Sequence, residues 1–327
     1  MRSLVDYREQ DRDLIMKGFY DWLFEASPLV GVIPVVEVKG NGIKYNVKAT
    51  RGGAEWLSTN DTIAESTGTA SQRSAALSRL IGDADVDKFF IATNSTQDPE
   101  VLEMKSKAED MMWEWSERLI IGQTTAQSQA TQPKGICQLI SEVESETETT
   151  LDGITNSQVV PGHATSASLT IDMMDELLDA VHNPNTLLMS KRMRRKLTSL
   201  ARAAGNNLVH DKDELGHPVA MYGAIPIYVD DHIEDAYPDS TTSVLDISSY
   251  VVGTTRASAN DNSIIFALRR SETGFAIIQA QSFKHELIGT VANKDAIRHR
   301  FKWYTGFALF DKFAAAALIN VLDTALS

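Results

Sequence analysis

The spacing of apolar and polar positions predicts a chain that mixes helices and strands. Apolar residues recur at helical spacing in four segments, which predicts helices over residues 6–25, 98–121, 170–182 and 191–204. Shorter apolar runs predict strands over residues 30–38, 43–47, 186–189, 219–222, 225–229, 264–268, 275–279 and 296–310, with an apolar tail at 313–322. Gly40-Asn41-Gly42 predicts a hairpin turn between the first two strands. This order of elements indicates an α+β fold.

The clearest single element is the helix that begins at Asp98. Asp98-Pro99 combines a capping carboxylate with a proline in the first turn, and acidic residues follow at once. The helix carries a stripe of apolar residues, which comprises Val101, Met104, Ala108, Met111, Met112, Trp115 and Leu119. Such a stripe predicts a helix of more than five turns with one face packed against a core.

Residues 50–88 have no sustained apolar periodicity. The segment is rich in Gly, Ser, Thr and Ala, and a loop of this length within a compact domain either serves a function or stays without structure. It nevertheless carries large apolar side chains, among them Trp56, Leu57, Leu77, Leu80 and Ile81. An arm with apolar anchors and no core of its own is predicted to bind a neighbouring subunit, with Trp56 and Leu57 as intersubunit contacts. This pattern favours assembly over catalysis.

Composition and charge narrow the classes of function. The 327 residues include 31 basic and 44 acidic side chains, for a net charge of -13. This balance disfavours tight binding of nucleic acid by the whole surface, because phosphate contacts require clustered Lys and Arg. The single cysteine, Cys137, excludes an intramolecular disulfide and favours a reducing compartment. Neither a membrane span nor the apolar core of a signal peptide is recognisable, so we expect a protein made in a cytoplasm, without membrane contact.

The sequence contains no recognisable catalytic motif. It lacks a phosphate-binding glycine loop, a nucleophile elbow and the spacing of zinc ligands. The nearest approach to a site is Asp230-Asp231-His232, with three more carboxylates upstream at Asp211, Asp213 and Glu214. Carboxylates of this kind can bind a hard cation, but a polar loop after a strand is the favoured interpretation. We therefore expect no catalytic, metal-binding or cofactor-binding residues; a cytosolic hydrolase that uses the Asp230 region is a distant alternative.

Two groups of cations are candidates for contacts with other molecules. Five lie at the start of a predicted helix, where they oppose the helix dipole: Lys191, Arg192, Arg194, Arg195 and Lys196. A solvated face and intersubunit pairing through Arg192, Arg194 and Arg195 are equally favoured interpretations of this cluster, and contact with nucleic acid ranks third. The second group, Arg298, Arg300 and Lys302, alternates with apolar residues along the last strand. That alternation is ordinary for a half-buried strand, and it also fits an inner surface that faces a packaged polyanion.

Six segments, in their order, resemble the major capsid protein of tailed phages, whose Johnson fold is also used by encapsulin shells. They are the arm with AEWLS, the helix from Asp98, QPKGI at 132–136, NPNTLLMSKRMRRKLTSLARAAGNNL, LGHPVAMYGAIPIYVDD and IRHRFKWYTGFALFDKFAAAAL. The resemblance implies an N-terminal arm (1–29), an extended loop (50–88) and an axial domain (122–288). It also implies a peripheral domain with a long spine helix and a closing strand, made of residues 30–49, 89–121 and 289–327.

The resemblance implies a non-enzymatic structural protein of the virion. Such a protein self-assembles through pentameric and hexameric capsomers into an icosahedral capsid, in the cytoplasm of the host. Its partners would be copies of itself, separate scaffolding, portal and decoration proteins, and packaged double-stranded DNA held by weak non-specific contact. An encapsulin-type compartment that holds an enzyme cargo is the alternative function.

Overall fold

A computed structural model gives the fold of the chain. It describes residues 3–10, 18, 20, 21, 24, 28–48, 52–62, 65–93, 98–122, 131–145, 148, 151, 153, 155–162, 167–204, 209–212, 218–233 and 262–322. The helices in these residues are α1 (Leu4–Gln10), α2 (Pro28–Val32), α3 (Lys88–Thr93), α4 (Pro99–Ile121), α5 (Ile136–Ser141), α6 (Ile171–Asp179) and α7 (Lys191–Ala203).

The strands of the described residues form three sheets. They are β1 (Val35–Glu37), β2 (Gly42–Lys48), β3 (Ala70–Ala76), β4 (Ser78–Asp87), β5 (Val159–Pro161), β6 (Ala167–Ser168), β7 (Thr186–Met189), β8 (Val209–Lys212), β9 (Pro218–Tyr222), β10 (Ile225–Val229), β11 (Asn262–Leu268), β12 (Phe275–Thr290), β13 (Ala296–Leu309) and β14 (Ala315–Leu322).

The first sheet has four strands in the order β1-β12-β13-β4. Its centre is the long antiparallel hairpin of β12 and β13, and β4 pairs with β13 from Ser78 to Asp87. The helix α4 packs on one face of this sheet, where Trp115 stacks on Trp303 with ring centroids 5.7 Å apart. The approach is close, because a Cβ atom on Gly82 would lie 2.8 Å from the sulfur of Met111. The absence of a side chain at Gly82 therefore lets the helix rest on β4.

The helix α4 begins and ends almost where the sequence predicts. The side chain of Asp98 accepts a hydrogen bond of 3.0 Å from the backbone N–H of Glu100, which caps the first turn. Six of the seven stripe residues are buried against the sheet and the neighbouring core: Met104, Ala108, Met111, Met112, Trp115 and Leu119. Val101 is the exception, since 44% of it is exposed in the first turn.

The second sheet has the main order β5-β14-β11-β7-β10-β9-β8, and β6 pairs with β14 beside it. Alternate residues of its central strands enter two different cores, as expected for a sheet covered on both faces. In β11, Ile265 and Ala267 face the core beneath α6 and α7. Ile264, Phe266 and Leu268 face the larger core that contains α4 and α5. The second sheet is thus the layer between two helix-covered cores.

The last described strand, β14, lies inside the second sheet between β11 and β5. The family resemblance implies that residues 289–327 form one block of the peripheral domain. β14 is instead hydrogen-bonded to strands of the second sheet. Ala315 to Ile319 are all buried, so the strand needs partners on both edges and cover on both faces. The chain therefore leaves the first sheet at Leu309 and ends its described part in the second.

The N-terminal half differs from the sequence prediction in two places, and a third prediction lies mostly outside the described residues. Residues 28–32 form the helix α2, so the strand predicted over 30–38 is reduced to β1, which pairs in parallel with β12. The predicted hairpin is wrong, because β2 pairs with β3 instead of β1. Of the helix predicted over residues 6–25, the structure describes residues 6–10, which belong to α1, and the isolated residues 18, 20, 21 and 24.

The predicted arm is also shorter than the segment 50–88. Residues 70–76 form β3 and residues 78–87 form β4, so the second half of that segment is strand. β4 is hard to recognise from its sequence because only Ala84 and Val86 of its ten residues are buried. Among residues 52–62 and 65–69 no helix or strand is present, which agrees with the prediction for the first half.

Candidate functional site

The outer part of the arm exposes apolar side chains that contact no core of their own subunit. Trp56 is fully exposed and Leu57 is 43% exposed. The arm is supported by the two-stranded ribbon of β2 and β3, whose register pairs Gly42 with Ala76 and Lys48 with Ala70. A large aromatic ring in water at the end of a ribbon is suited to fill a pocket on another molecule.

The ribbon is fixed to the subunit near its middle, where Tyr45 and Arg73 are paired residues. Tyr45 of β2 packs edge-to-face on Phe310, with ring centroids 5.0 Å apart. Arg73 of β3 donates a hydrogen bond of 3.2 Å to the carbonyl oxygen of Val143. These contacts set the direction in which the ribbon carries Trp56 away from the two cores.

A second exposed apolar surface lies where α3 meets the first turn of α4. Phe89 and Phe90 in α3 are 66% and 60% exposed, and Val101 and Leu102 in α4 are also exposed. Neither Phe89 nor Phe90 is among the contact residues predicted from the sequence. The sequence does contain a signal for them, because two adjacent aromatic residues are unusual in a solvated loop and mark an interaction surface when they are exposed.

The three cations of β13 lie on one face of the first sheet and are paired with carboxylates. Arg298 donates two hydrogen bonds to Asp85, of 2.6 and 2.7 Å, and Arg300 donates two of 2.7 Å to Asp83. Lys302 forms an ion pair with Glu286. These carboxylates on β4 and β12 were not identified from the sequence, because the pairing of the strands brings them beside the cations.

The pairing shifts the pKa values of the carboxyl groups. The hydrogen bonds from Arg300 lower the pKa of Asp83, and those from Arg298 lower the pKa of Asp85. The ion pair with Lys302 lowers the pKa of Glu286 in the same way. The row therefore alternates cation and carboxylate and has little net charge to offer a polyanion.

The basic cluster predicted at a helix start lies in the first two turns of α7. Ser190 caps this helix, because its hydroxyl oxygen accepts a hydrogen bond of 3.1 Å from the backbone N–H of Met193. Arg194 and Arg195 are exposed, Arg192 is half-buried, and Lys196 is buried. Ser190 and the buried face of α7 offset the unfavourable placement of cations at a helix start, which explains why the helix forms.

The region of Asp230-Asp231-His232 forms a small polar cluster. Asp230 lies 2.7 Å from Nδ1 of His232, and the His232 ring packs edge-to-face on Trp113 of α4 with centroids 4.4 Å apart. Asp231 binds Lys191 at 2.6 Å. Asp213 and Glu214 lie outside the described residues, and Asp211 is in β8. Among the residues that the structure describes, no group of three His, Cys, Asp or Glu side chains could hold a metal ion.

The single cysteine and the helices add little chemistry to these surfaces. Cys137 is buried in α5, and burial raises the pKa of its thiol far above its ordinary value, so the thiol is unreactive. No helix within the described residues is long and apolar enough to cross a bilayer. The features of the described residues that other molecules could contact are therefore the apolar arm, the apolar patch at α3 and α4, and the charged helix α7.

The sequence matches the model of the phage capsid family over residues 15–284. The chain belongs to the phage capsid family. It is a structural shell protein, and the sequence-based expectation of a capsid protein is confirmed. No curated protein matches the chain at a significant level of similarity.

Solved structures show that this capsid protein has the Johnson-type fold. The capsid of a native GTA particle superposes with a TM-score of 0.63 at 14% identity, over 90% of each chain. The SrpI encapsulin of Synechococcus elongatus PCC 7942, solved as a holo complex, gives 0.62 at 15% identity, over 91% of this chain and 89% of that one. A chain from Mycobacterium phage Bobi gives 0.55 at 14% identity, over 91% and 89%.

Proposed function

We propose that this protein is the major capsid protein of a tailed bacteriophage and forms the icosahedral shell around its double-stranded DNA. Membership of the phage capsid family supports this function. The observation that carries the proposal is the arm, because the fully exposed ring of Trp56 contributes no burial to the isolated subunit. In a shell the same side chain has a neighbour to bind.

The arm is proposed to lie over an adjacent subunit in pentameric and hexameric capsomers. Trp56 and Leu57 would be its anchors, and the exposed cluster of Phe89, Phe90, Val101 and Leu102 is the apolar surface that assembly would cover. Each interface need only be of ordinary size, about 1,600 Å². Repetition around closed symmetry then gives the shell a large collective stability.

The division of the chain follows from the same proposal. The first sheet with α4 would be the peripheral domain, and the second sheet with α6 and α7 would be the axial domain near the centre of a capsomer. Residues 1–29 would be the N-terminal arm and residues 50–69 the part of the extended loop that reaches a neighbour. The boundary in the C-terminal part would follow β13, and the pairing of β14 in the second sheet supports this.

Further partners of the shell are scaffolding, portal and decoration proteins, each encoded separately. Assembly would take place in the host cytoplasm, and the mature protein would be part of the virion. The packaged DNA would touch the inner wall through weak contacts without sequence preference. Arg298, Arg300 and Lys302 are the proposed inner-face residues, and their pairing with carboxylates supports weak contact over tight binding.

The content of the particle separates this function from that of an encapsulin compartment, whose structure is similar. Particles would be purified from the cells that naturally make the protein, treated with nuclease and then opened. Protected double-stranded DNA of uniform length supports the phage function. Particles that hold a single enzyme and no DNA would identify a compartment instead, and a soluble monomer with hydrolase activity would reject both.

A further inference from the structure

The helices α6 and α7 carry opposite charges. All four ionisable side chains of α6 are acidic: Asp172, Asp175, Glu176 and Asp179. All six of α7 are basic: Lys191, Arg192, Arg194, Arg195, Lys196 and Arg202. Short helices on a protein surface more often mix both signs, because pairs of opposite charge three or four residues apart stabilise a helix. The separation of charge is therefore a property of this face of the molecule.

Both helices cover the same face of the second sheet. Met174 and Leu177 of α6 and Met193 and Leu197 of α7 are buried in one core beneath them. α6 packs on β5, β14 and β11, whereas α7 packs on β10. β7 separates β11 from β10 in the strand order, although Asp175 of α6 reaches as far as Tyr222 of β9. This face therefore carries one acidic helix and one basic helix.

Several of these charges are already engaged within the subunit. Asp175 accepts a hydrogen bond of 2.7 Å from the hydroxyl of Tyr222, Lys191 binds Asp231, and Lys196 is buried. The exposed residues Asp172, Glu176 and Asp179, which we name the acidic stripe, take part in no ion pair of the described residues. The same holds for the exposed Arg194 and Arg202, which we name the basic stripe.

The two stripes match in length. With a rise of about 1.5 Å per residue, Asp172 and Asp179 lie about 10 Å apart along α6, and Arg194 and Arg202 lie about 12 Å apart along α7. The members of the acidic stripe lie on one side of α6, because they are spaced by about one turn each, whereas Arg194 and Arg202 lie about 80° apart around α7. Both arginines are still on the same half of α7, so two helices laid side by side could form two ion pairs at once, and two exposed pairs contribute more than one.

We propose that the acidic stripe of one subunit binds the basic stripe of the next copy around a ring. This inference rests on the proposed shell function and names the surfaces through which the axial domains meet. A contact between different patches of identical subunits is head-to-tail, and its repetition by rotation closes a ring without a free end. Opposite charge also orients the approaching subunits and rejects a head-to-head encounter, in which like charges would meet.

Three variants and the wild type test the pairing. Arg194→Glu/Arg202→Glu gives a subunit with two acidic stripes, and Glu176→Lys/Asp179→Lys gives one with two basic stripes. Asp172 is left unchanged because it lies in the first turn of α6, where an acidic side chain favours the helix dipole. The third variant combines both reversals, and the fourth protein is the wild type. Circular dichroism and thermal unfolding of the unassembled subunits check that each variant folds.

Assembly is measured by sedimentation velocity and negative-stain microscopy at about 0.15 M salt. We expect each single reversal to lower the yield of particles at least tenfold and the combined variant to restore it. The two single reversals change net charge in opposite directions, so a loss in both cannot come from net charge. Normal assembly of either folded single reversal, or failure of the folded combined variant, would overturn the inference while leaving the shell function intact. Failure of the wild type to form particles would reject the shell function itself.

A mixture of the two single reversals gives the sharpest result. A subunit with two acidic stripes can bind only a subunit with two basic stripes, so the two must alternate around a ring. Alternation closes only for an even number of subunits, and native mass spectrometry should detect hexamers but no pentamers. Pentamers in the equimolar mixture would contradict the pairing. If the basic stripe instead binds DNA, Arg194→Glu/Arg202→Glu would assemble empty shells normally, which also contradicts it.

Discussion

Arg300 on β13 and Asp83 on β4 face each other as paired residues of the first sheet, joined by two hydrogen bonds of 2.7 Å. Arg298 and Asp85 repeat this arrangement two residues away. Two parallel hydrogen bonds fix a guanidinium more firmly than a single contact does. The pairs thus hold β4, the strand that leads from the arm, to the hairpin at the centre of the sheet.

This row predicts a loss of stability in acid. The pKa values of Asp83 and Asp85 are lowered by the hydrogen bonds from the two arginines, so their contribution is fully present above the ordinary carboxyl pKa of about 4. It is lost as the pH falls through the lowered values of the folded protein. The free energy of unfolding of the unassembled subunit should therefore fall steeply below about pH 4. Asp83→Asn/Asp85→Asn should flatten this dependence, whereas Glu55→Gln on the exposed arm should leave it unchanged.

The same pairs predict weak binding of DNA. Arg298, Arg300 and Lys302 already contact carboxylates, so a phosphate would have to compete with them. Capsomers at physiological salt should bind duplex DNA weakly, without sequence preference and with affinity that falls as salt rises. Fluorescence anisotropy with two duplexes of unrelated sequence measures this. Nanomolar affinity, or a clear preference for one duplex, would show that the face is a true DNA-binding surface.

The stack of Trp115 on Trp303 predicts which residue of α4 supports the fold. Trp115→Ala removes a buried ring that also packs edge-to-face on Phe307, and it should lower the free energy of unfolding by about 3–5 kcal/mol. Trp113, two residues earlier on the same helix, is 61% exposed and provides the matched control. Trp113→Ala should cost about 1 kcal/mol or less. Equal losses in urea denaturation would contradict the packing of α4 on the sheet.

Trp56 should matter for assembly and not for folding. Trp56→Ala removes no contact with either core, so the thermal unfolding of the isolated subunit should not change. Removal of an aromatic anchor from an interface costs about 2 kcal/mol or more, and each subunit repeats the loss. The concentration required for assembly should therefore rise at least tenfold, while Glu55→Ala should have little effect. A drop of several degrees in the thermal midpoint would place Trp56 in the core of its own subunit.

The sequence was informative where local signals agree with packing. Asp98-Pro99 marks the start of α4 because the cap and the proline act within one turn, and its stripe gives the buried face. β7 and β10 are recognisable as short apolar runs, since buried parallel strands are apolar on both faces. The family resemblance added the order of these elements, which local signals do not provide.

Pairing between distant strands could not be read from the residues. β2 joins β3 across the arm instead of β1 across the Gly40-Asn41-Gly42 turn, and nothing local distinguishes the two partners. The carboxylates that pair with Arg298 and Arg300 lie more than two hundred residues earlier in the chain. The exposure of an aromatic residue such as Phe89 can be recognised only from the folded structure, because the sequence does not show whether the ring packs in a core.

Electron microscopy of the purified wild-type protein tests the central claim most directly. The protein would be expressed alone and together with a scaffolding protein, concentrated, and imaged in negative stain over a range of salt concentrations. We predict closed shells of uniform diameter, or pentameric and hexameric capsomers where closure needs the scaffold. A monodisperse population of monomers under every condition would contradict the claim that this chain builds a capsid.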